Sequence, residues 1–231
     1  MASRRRRCIV RQATFFSHGI QKEDGAPRKG WVFDEEHPDT INGCQTLKQV
    51  YELNNPDHNS RNTTPMLFDK EAKKVMHNES QIMAKLIYDN CRHLGEHPEV
   101  ELYPEGSDEE MKRIYDELYE PLLNGVYKAG FSTTQEALDE ATEPMFELLA
   151  KLDEKLGKQR FLYGDGKKFT MADIFLFPTL LRFDFVYHIH FKCSFKRIQD
   201  HPNLREYVKE IWQFPHVVQK AYVTGCLFIF S

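Results

Sequence analysis

The segment from Phe169 to Cys193 constrains the fold more than any other part of the chain. It opens with Thr170 and Asp173 at the spacing of a capping box, in which a hydroxyl and a carboxylate satisfy free N–H groups at a helix start. From Ile174 to Val186, apolar residues occupy every face of the predicted helix rather than one stripe. Because a helix that is apolar all round must be covered by others, this pattern predicts a core helix in a helical bundle.

Polar residues and a proline inside this segment refine the prediction. A bilayer span tolerates charges poorly, so Asp173, Arg182 and Asp184 disfavour a membrane-spanning helix. We expect Arg182 and Asp184 to pair with each other or with neighbouring groups rather than to act in catalysis. Pro178 removes a backbone donor and predicts a kink.

Length and charge indicate a soluble protein with two domains. A chain of 231 residues can bury a sizeable core, and its net charge of -4 with interspersed signs gives no general affinity for nucleic acid or lipid. The run Arg4–Arg7 is either a targeting or nucleic-acid patch or, more typically, a solvated tail. No apolar signal-peptide core follows it, so a cytoplasmic location is expected. Neither nucleic acid nor a membrane is expected as a partner.

The cysteines show neither CxxC spacing nor a disulfide framework, which indicates reduced thiols in a cytosol-like compartment. They are scattered along the chain: Cys8, Cys44, Cys91, Cys193 and Cys226.

The first part of the chain predicts a compact α/β unit. Residues 1–30 are weakly patterned and allow either a strand or a helix end. Apolar spacing predicts a helix over Gln45–Leu53, and the polar stretch Asn54–Thr64 predicts a loop. Pro65–His77 predicts a hairpin, and Gln81–Arg92 an amphipathic helix whose apolar positions are Ile82, Leu86 and Ile87.

The second part of the chain predicts helices alone. Glycines, prolines and acidic residues over 95–110 mark a linker between domains at 1–94 and 111–231. Long amphipathic segments then cover Met111–Lys128 and Thr134–Lys158, and a last one covers Pro202–Gln213. The fold class predicted from these elements is α/β plus all-α.

Three motif pairs carry a resemblance to a known family. They are Arg61–Lys70 with Asn78–Ser80, Asn124–Phe131 with Thr133–Ala137, and Arg182–Tyr187 with His190–Cys193. Together they resemble the signature of glutathionyl-hydroquinone reductases, the Xi-class, omega-like glutathione transferases. The resemblance implies a glutathione transferase fold, with a thioredoxin-like domain that is incomplete at its start and a helical-bundle domain after it.

The resemblance also implies a glutathione site, with glutathione as co-substrate and no metal. A residue before proline is pushed into extended backbone, so Thr64 can pair with the peptide as a strand would if the bond to Pro65 is cis. Ser80 at a helix start can bind a carboxylate, and Glu79 an ammonium group, although a plain N-cap is the alternative for Ser80. The predicted contacts are Trp31, Arg61, Asn62, Thr63, Thr64, Glu79 and Ser80.

Two tyrosines match catalytic positions of the family. By resemblance, Tyr127 exchanges a proton with the quinol ring, and the hydroxyl of Tyr187 stabilises the active-site thiolate. A buried tyrosine with a satisfied hydroxyl remains the alternative for both. His188 and His190 lie two residues apart and point to different faces of a helix, so neither is predicted to bind a metal.

The sequence departs from the family at both ends. The family's nucleophile lies in a Cys-Pro-Trp-Ala turn, and no Cys-Pro-Trp occurs here. If Ile9–Arg11 matches the family's first helix, the nucleophile's position falls at Met1, and Cys8 lies about two helical turns too far along to replace it. The end of the chain does not match either, so Tyr222 receives no role, and the apolar tail Cys226–Phe230 favours aggregation or a partner.

Two functions follow as alternatives. The first is a reductase that acts on glutathionyl-hydroquinones, takes glutathione and quinone-type small molecules as partners, and forms a homodimer. The second is a catalytically inactive transferase-like protein that serves binding or scaffolding.

Overall fold

The structure is a computed structural model that describes residues 31–35, 37–215 and 217. Contacts divide the chain into two compact units, the first ending at Glu99 and the second beginning at Val100. The domain limits 1–94 and 111–231 remain a prediction, and helix already begins at Asp108 within the predicted linker. The predictions for Arg4–Arg7, Cys8, Ile9–Arg11, Tyr222 and Cys226–Phe230 lie outside the described residues.

The described part of the first unit contains two helices, a two-stranded antiparallel sheet and one 3₁₀ turn. In chain order they are α1 (Leu47–Glu52), β1 (Leu67–Asp69), β2 (Lys74–His77), α2 (Ser80–Cys91) and the 3₁₀ turn Arg92–Leu94. Before α1, Val32 forms an isolated antiparallel bridge with Thr46.

Helix α1 forms where the sequence predicts a helix, because a capping box starts it. Gln49 N–H donates to Thr46 Oγ1 over 3.3 Å, and Gln49 Oε1 accepts from Thr46 N–H over 3.1 Å. The helix buries Leu47, Val50 and Tyr51. These side chains form part of the small core of the first unit.

The hairpin over Pro65–His77 is confirmed. Phe68 pairs with Val75 across the sheet, and a bulge separates this pair from that of Leu67 and His77. Asp69 Oδ1 accepts from Glu71 N–H over 2.9 Å and from Ala72 N–H over 3.0 Å, and Lys73 has a φ of 48°. The polar turn is therefore stabilised locally by its own first carboxylate.

Helix α2 is also confirmed, but its predicted apolar face is wrong. Ile82, Leu86 and Ile87 are exposed, whereas Met83 and Tyr88 are buried. One step along a helix turns a side chain by about 100°. The face that packs is therefore displaced from the one that the larger aliphatic residues mark.

In the described part of the second unit, every regular element is a helix or a helical turn. Its elements are α3 (Asp108–Leu118), a π turn (Tyr119–Leu123), α4 (Gly125–Phe131), α5 (Gln135–Leu156), α6 (Met171–Arg182), a second π turn (Phe183–Tyr187), α7 (His188–His190), a 3₁₀ turn (Ile198–Asp200) and α8 (Pro202–Trp212). None of the helices in the described residues combines the length and apolar character needed to cross a membrane.

The single helix predicted over Met111–Lys128 is in fact two helices. Pro121 lacks a backbone donor, and the hydrogen-bond spacing widens around it, with Asn124 N–H donating to Tyr119 O over 2.8 Å. This five-residue step ends α3 and starts α4 at Gly125. The π turn sets the position of α4, which carries Tyr127.

The central helix α6 begins where the capping box predicts. Asp173 is fully buried, and its two carboxylate oxygens accept from Leu162 N–H, from the N–H and hydroxyl of Thr170, and from the hydroxyl of Tyr207. One side chain thus joins the turn before α6, the start of α6 and helix α8. The capping residue connects three parts of the bundle.

The expectation that apolar residues are covered as far as Val186 is wrong. Phe183 is fully buried but Phe185 is 72% exposed, because the chain leaves the α6 spacing in the second π turn. The predicted pairing with neighbours is confirmed for both charges. Arg182 Nε donates to Pro178 O over 2.9 Å, and Asp184 accepts from the N–H groups of Ile198 and Gln199.

Candidate functional site

In the first unit, two side chains fix the segment that contains the predicted Thr63 and Thr64 contacts. The Tyr51 hydroxyl donates to Thr63 O over 2.7 Å, and Asn78 Nδ2 donates to Thr63 Oγ1 over 2.8 Å. Thr63 and Thr64 are half-buried, and the peptide between Thr64 and Pro65 is cis. Helix α1 and the residue after β2 therefore both anchor the segment.

Tyr51 and Asn78 are residues that sequence reasoning missed. Asn78 is the first residue of the Asn78–Ser80 motif, so its position gave a signal that could have been used. Tyr51 lies twelve residues before Thr63, and no local pattern links the two.

Ser80 is the first residue of α2, and Glu79 precedes it as the N-cap without a side-chain capping bond. The plain N-cap considered as the alternative for Ser80 is therefore wrong. Both side chains are exposed, and Glu79 N–H donates to His77 Nδ1 over 3.1 Å. Exposed groups at the start of a twelve-residue helix can receive an anion, because the first N–H groups have no helical acceptor.

Trp31, Arg61 and Asn62 complete the predicted glutathione contacts. The indole of Trp31 is 39% exposed, while its carbonyl accepts from Leu47 N–H over 3.0 Å. Arg61 is exposed, and the buried Oδ1 of Asn62 has no hydrogen-bond partner in the described part of the chain. An acceptor of this kind is available to an ammonium or amide donor of a ligand.

A cavity of about 310 Å³ lies beside this segment in the first unit. Among the predicted contacts, Arg61 alone lines it; Trp31, Thr64 and Ser80 do not. Its lining includes two cations and no carboxylate, which makes the cavity favourable for negative charge. The lining residues are Tyr51, Asn54, Asn55, His58, Ser60, Arg61, Lys74, Val75, Met76, His77 and Asn78.

In the second unit, the two predicted catalytic tyrosines lie together although 60 residues separate them in sequence. Tyr127 is on α4 and Tyr187 is the last residue of the second π turn. Their hydroxyl oxygens are 3.3 Å apart, and their rings meet edge to face at 5.9 Å between centroids. The arrangement permits a hydrogen bond in which either hydroxyl is the donor.

The two tyrosines have different environments. Tyr187 is 3% exposed and Tyr127 is 41% exposed. Burial raises the pKa of Tyr187, with the Arg182 charge opposing and the hydrogen bond between Tyr187 and Tyr127 adding to the rise. Tyr187 therefore stays a neutral donor at neutral pH, while Tyr127 is partly accessible from solvent.

Two of the described cysteines have raised thiol pKa values. Cys193 is fully buried, and burial raises its pKa to about 12. Burial raises the pKa of Cys44 as well, and the neighbouring Asp39 carboxylate adds to that rise. A thiol must ionise to attack sulfur, so neither residue suits the role of nucleophile.

His188 and His190 belong to no group of three His, Cys, Asp or Glu side chains able to hold a metal within the described residues. They lie on the short helix α7, directly after Tyr187, and the buried Nδ1 of His188 has no hydrogen-bond partner there.

Comparisons with known proteins give the same assignment as the motifs. The protein-family model described as "Glutathione S-transferase, C-terminal domain" matches residues 135–210. The chain is 44% identical over 185 residues to a glutathionyl-hydroquinone reductase, PcpF, of Sphingobium chlorophenolicum. That match covers 79% of this chain and 58% of the relative, so the chain spans little more than half of the relative's length.

Solved structures extend the similarity to the fold. A Xi-class glutathione transferase from Natrialba magadii matches with a TM-score of 0.74 and 38% identity, over 82% of this chain and 58% of the other. The glutathione-bound structure of YqjG from Escherichia coli matches with a TM-score of 0.70 and 38% identity, over 80% of this chain and 61% of the other. The predicted glutathione transferase fold is confirmed.

The motifs, the fold and the curated relatives agree: the chain has the glutathione transferase fold and is similar to the Xi-class glutathione transferases and to proteins named glutathionyl-hydroquinone reductases.

Proposed function

We propose that the protein reduces glutathionyl-hydroquinones to hydroquinones with glutathione as the reductant. The observation that carries the proposal is the 3.3 Å approach of the Tyr127 and Tyr187 hydroxyls. Relatives named for this reaction support it, as does the glutathione in the YqjG structure. Glutathione and quinone-type molecules are the proposed small-molecule partners, and the proposed assembly is a homodimer in the cytoplasm.

The proposed reaction has two steps, thiolate attack on the sulfur of the substrate and resolution of the resulting mixed disulfide. A thiolate attacks the glutathione sulfur of the substrate, an S–S bond forms, and the bond from sulfur to the ring carbon breaks. The ring carbon takes a proton, which the hydroxyl of the partly exposed Tyr127 supplies. A second glutathione thiolate then attacks the mixed disulfide, releasing glutathione disulfide and restoring the first thiolate.

Tyr187 has the proposed role of a neutral donor to the attacking thiolate. Its buried hydroxyl has a raised pKa, so it remains protonated under conditions in which a thiolate exists. A hydrogen bond to the ionised sulfur favours the thiolate over the thiol and lowers the thiol's pKa. The hydroxyl of Tyr187 also lies within reach of Tyr127, which could return a proton through the pair.

Glutathione contacts are proposed for Trp31, Arg61, Asn62, Thr63, Thr64, Glu79 and Ser80. Ser80 and the α2 start offer donors to the γ-glutamyl carboxylate, and Glu79 accepts from its ammonium group. The Thr63–Thr64 segment, fixed by Tyr51 and Asn78, offers backbone groups to the peptide.

A second function is favoured by the thiols. No Cys-Pro-Trp occurs in the sequence, and Cys44 and Cys193 have raised pKa values. A protein without an attacking thiolate would bind glutathione and act as a binding or scaffold protein without chemistry.

One assay separates the two functions. The protein is incubated with a glutathionyl-hydroquinone and glutathione, and hydroquinone release is followed by chromatography for the wild type, Cys8→Ser and the matched control Cys44→Ser. The reductase predicts turnover, which falls at least a hundredfold in Tyr187→Phe if that hydroxyl supports the thiolate. Loss in Cys8→Ser alone would identify Cys8 as the nucleophile. Absence of hydroquinone release from the glutathionyl-hydroquinone, together with calorimetric glutathione binding, would establish the second function.

A further inference from the structure

The turn after Tyr187 consists of residues 188–193 and includes α7. This turn is attached to the end of α4, the helix that carries Tyr127. Lys192 Nζ donates to Gly130 O over 2.9 Å and to Ser132 O over 2.8 Å. These carbonyls lie at the C-terminal end of α4, where carbonyl groups lack helical donors and a cation is favoured. One side chain from the turn therefore completes the helix end across 60 residues of sequence.

The same turn is closed on Tyr187 through the backbone. The N–H groups of Phe191 and Cys193 both donate to Tyr187 O over 3.1 Å. Lys192, between them, has a φ of 61°, the left-handed region that a lysine adopts only when its surroundings stabilise it. The backbone of the turn is therefore bonded to Tyr187, and its lysine side chain is bonded to the end of α4.

Aromatic packing makes a second connection between the same elements. The Phe191 ring lies edge to face against Tyr127 at 5.7 Å and against Tyr187 at 5.5 Å. It can do so because residue 130 is glycine, where an added Cβ would lie 2.1 Å from Phe191 Cδ1. Edge-to-face contacts and close packing fix both rings in one geometry.

We propose that Lys192 is a positioning residue, which holds α4 against the turn after Tyr187 and so keeps the Tyr127 and Tyr187 hydroxyls at hydrogen-bonding distance. Gly130 is the complementary position, since its lack of a side chain lets Phe191 pack against both tyrosines. The proposal rests on the proposed function for the importance of the tyrosine pair. Its own test requires neither glutathione nor a hydroquinone.

The test reads the tyrosine pair directly. The full chain is prepared with 3-fluorotyrosine encoded at position 187, and the ¹⁹F resonance is followed as a function of pH. In the wild type we expect the resonance to titrate at a raised pH, because burial disfavours the phenolate and the contact with the Tyr127 hydroxyl adds to the rise. Lys192→Met keeps the same backbone strain but lacks the ammonium group. In this variant we expect the acid ionisation constant of the phenol at position 187 to increase at least threefold, because its contact with Tyr127 is loosened.

Two further variants make the outcome specific. The control Lys128→Met removes a lysine that lies on α4 itself and pairs with Glu120 on the surface, and it should leave the ¹⁹F titration unchanged. Gly130→Ala should shift the titration in the same direction as Lys192→Met, because Phe191 must move. If Lys192→Met does not fold, Lys192→Gly removes the ammonium group while tolerating the positive φ.

A double-mutant comparison distinguishes positioning from general stability. In the wild-type background, Tyr127→Phe should shift the pH midpoint of the residue 187 titration. In the Lys192→Met background, the same substitution should shift that midpoint less than half as much. A lower melting temperature with an unaltered titration and an unaltered effect of Tyr127→Phe would overturn the proposal. Absence of turnover with an intact effect of Lys192 would reject the proposed function alone.

Discussion

In the first unit the candidate residues lie on loops and at the start of a helix, whereas in the second unit they lie on helical turns beside a buried core. Ser80 and Arg61 are exposed, and Thr63 is fixed by the two hydrogen bonds from Tyr51 and Asn78. Tyr187, by contrast, packs against the fully buried Phe183. Ligand contacts can be supported by a few hydrogen bonds, but a reacting pair requires a packed scaffold.

The two units also differ in the length of the elements that support these residues. The two strands in the described part of the first unit have three and four residues, whereas α5 of the second unit has 22. Short elements bury little apolar surface, so single hydrogen bonds contribute a larger share of local stability there. The comparison therefore predicts different consequences for substitutions in the two units.

The largest expected effect is on the stability of the second unit. Asp173→Ala removes an acceptor for four buried donors on three parts of the bundle. We expect the free energy of unfolding to fall by about 3 kcal/mol or more, because buried donors without acceptors are costly. Urea unfolding followed by circular dichroism measures it. The matched control Asp165→Ala, at an exposed position of the preceding turn, should change the value by less than about 0.5 kcal/mol.

The sequence predicted this part of the molecule well because its signals are local. The capping box of Thr170 and Asp173 and the helical spacing of apolar residues depend on residues only a few positions apart. The errors in helix boundaries have local causes as well. The chain around Pro121 forms a π turn, so the predicted continuous helix is divided into α3 and α4. What spacing could not give is the contact of Asp173 with Tyr207, 34 residues later, because that requires the tertiary fold.

The candidate site was predicted by resemblance rather than by physics. Nothing in the spacing of Tyr127 and Tyr187 indicates that they meet, and both could equally have been core tyrosines. Tyr51 was missed for the same reason, since its hydroxyl reaches Thr63 only in the folded unit. The face of α2 was misjudged because Ile82, Leu86 and Ile87 are large and apolar, whereas burial favours Met83 and Tyr88.

A second prediction concerns the pH dependence of the second unit. Burial, and then the Lys196 charge, lower the pKa of His201, which starts α8. The unfolded chain therefore binds a proton at higher pH than the folded one, so stability is full above about pH 6.5 and falls as the solution is acidified. The loss should not exceed about 1.4 kcal/mol per pH unit. Urea midpoints between pH 7.5 and 5.5 should show a shallower slope for His201→Gln than for the wild type, and equal slopes would contradict the assignment.

A smaller effect is expected in the first unit. Tyr51→Phe keeps the ring stacked on His58 but removes the donor to Thr63 O. The free energy of unfolding should fall by about 1 kcal/mol, the usual size of one hydrogen bond. Hydrogen exchange read by mass spectrometry should show faster exchange over residues 61–64 and unchanged exchange in α5. A loss of protection spread equally over both units would show that the comparison between them is wrong.

The most direct test of the central claim, that the first unit holds contacts for glutathione, is a calorimetric titration of glutathione into the wild-type chain, Ser80→Ala and Tyr187→Phe. The account predicts saturable binding at one site, weakened about tenfold in Ser80→Ala because a charge-assisted hydrogen bond is lost. Affinity in Tyr187→Phe should stay within about twofold of the wild type, because that hydroxyl is proposed to act on the thiolate. Absence of binding heat in the folded wild type, or equal affinity in Ser80→Ala, would contradict the claim.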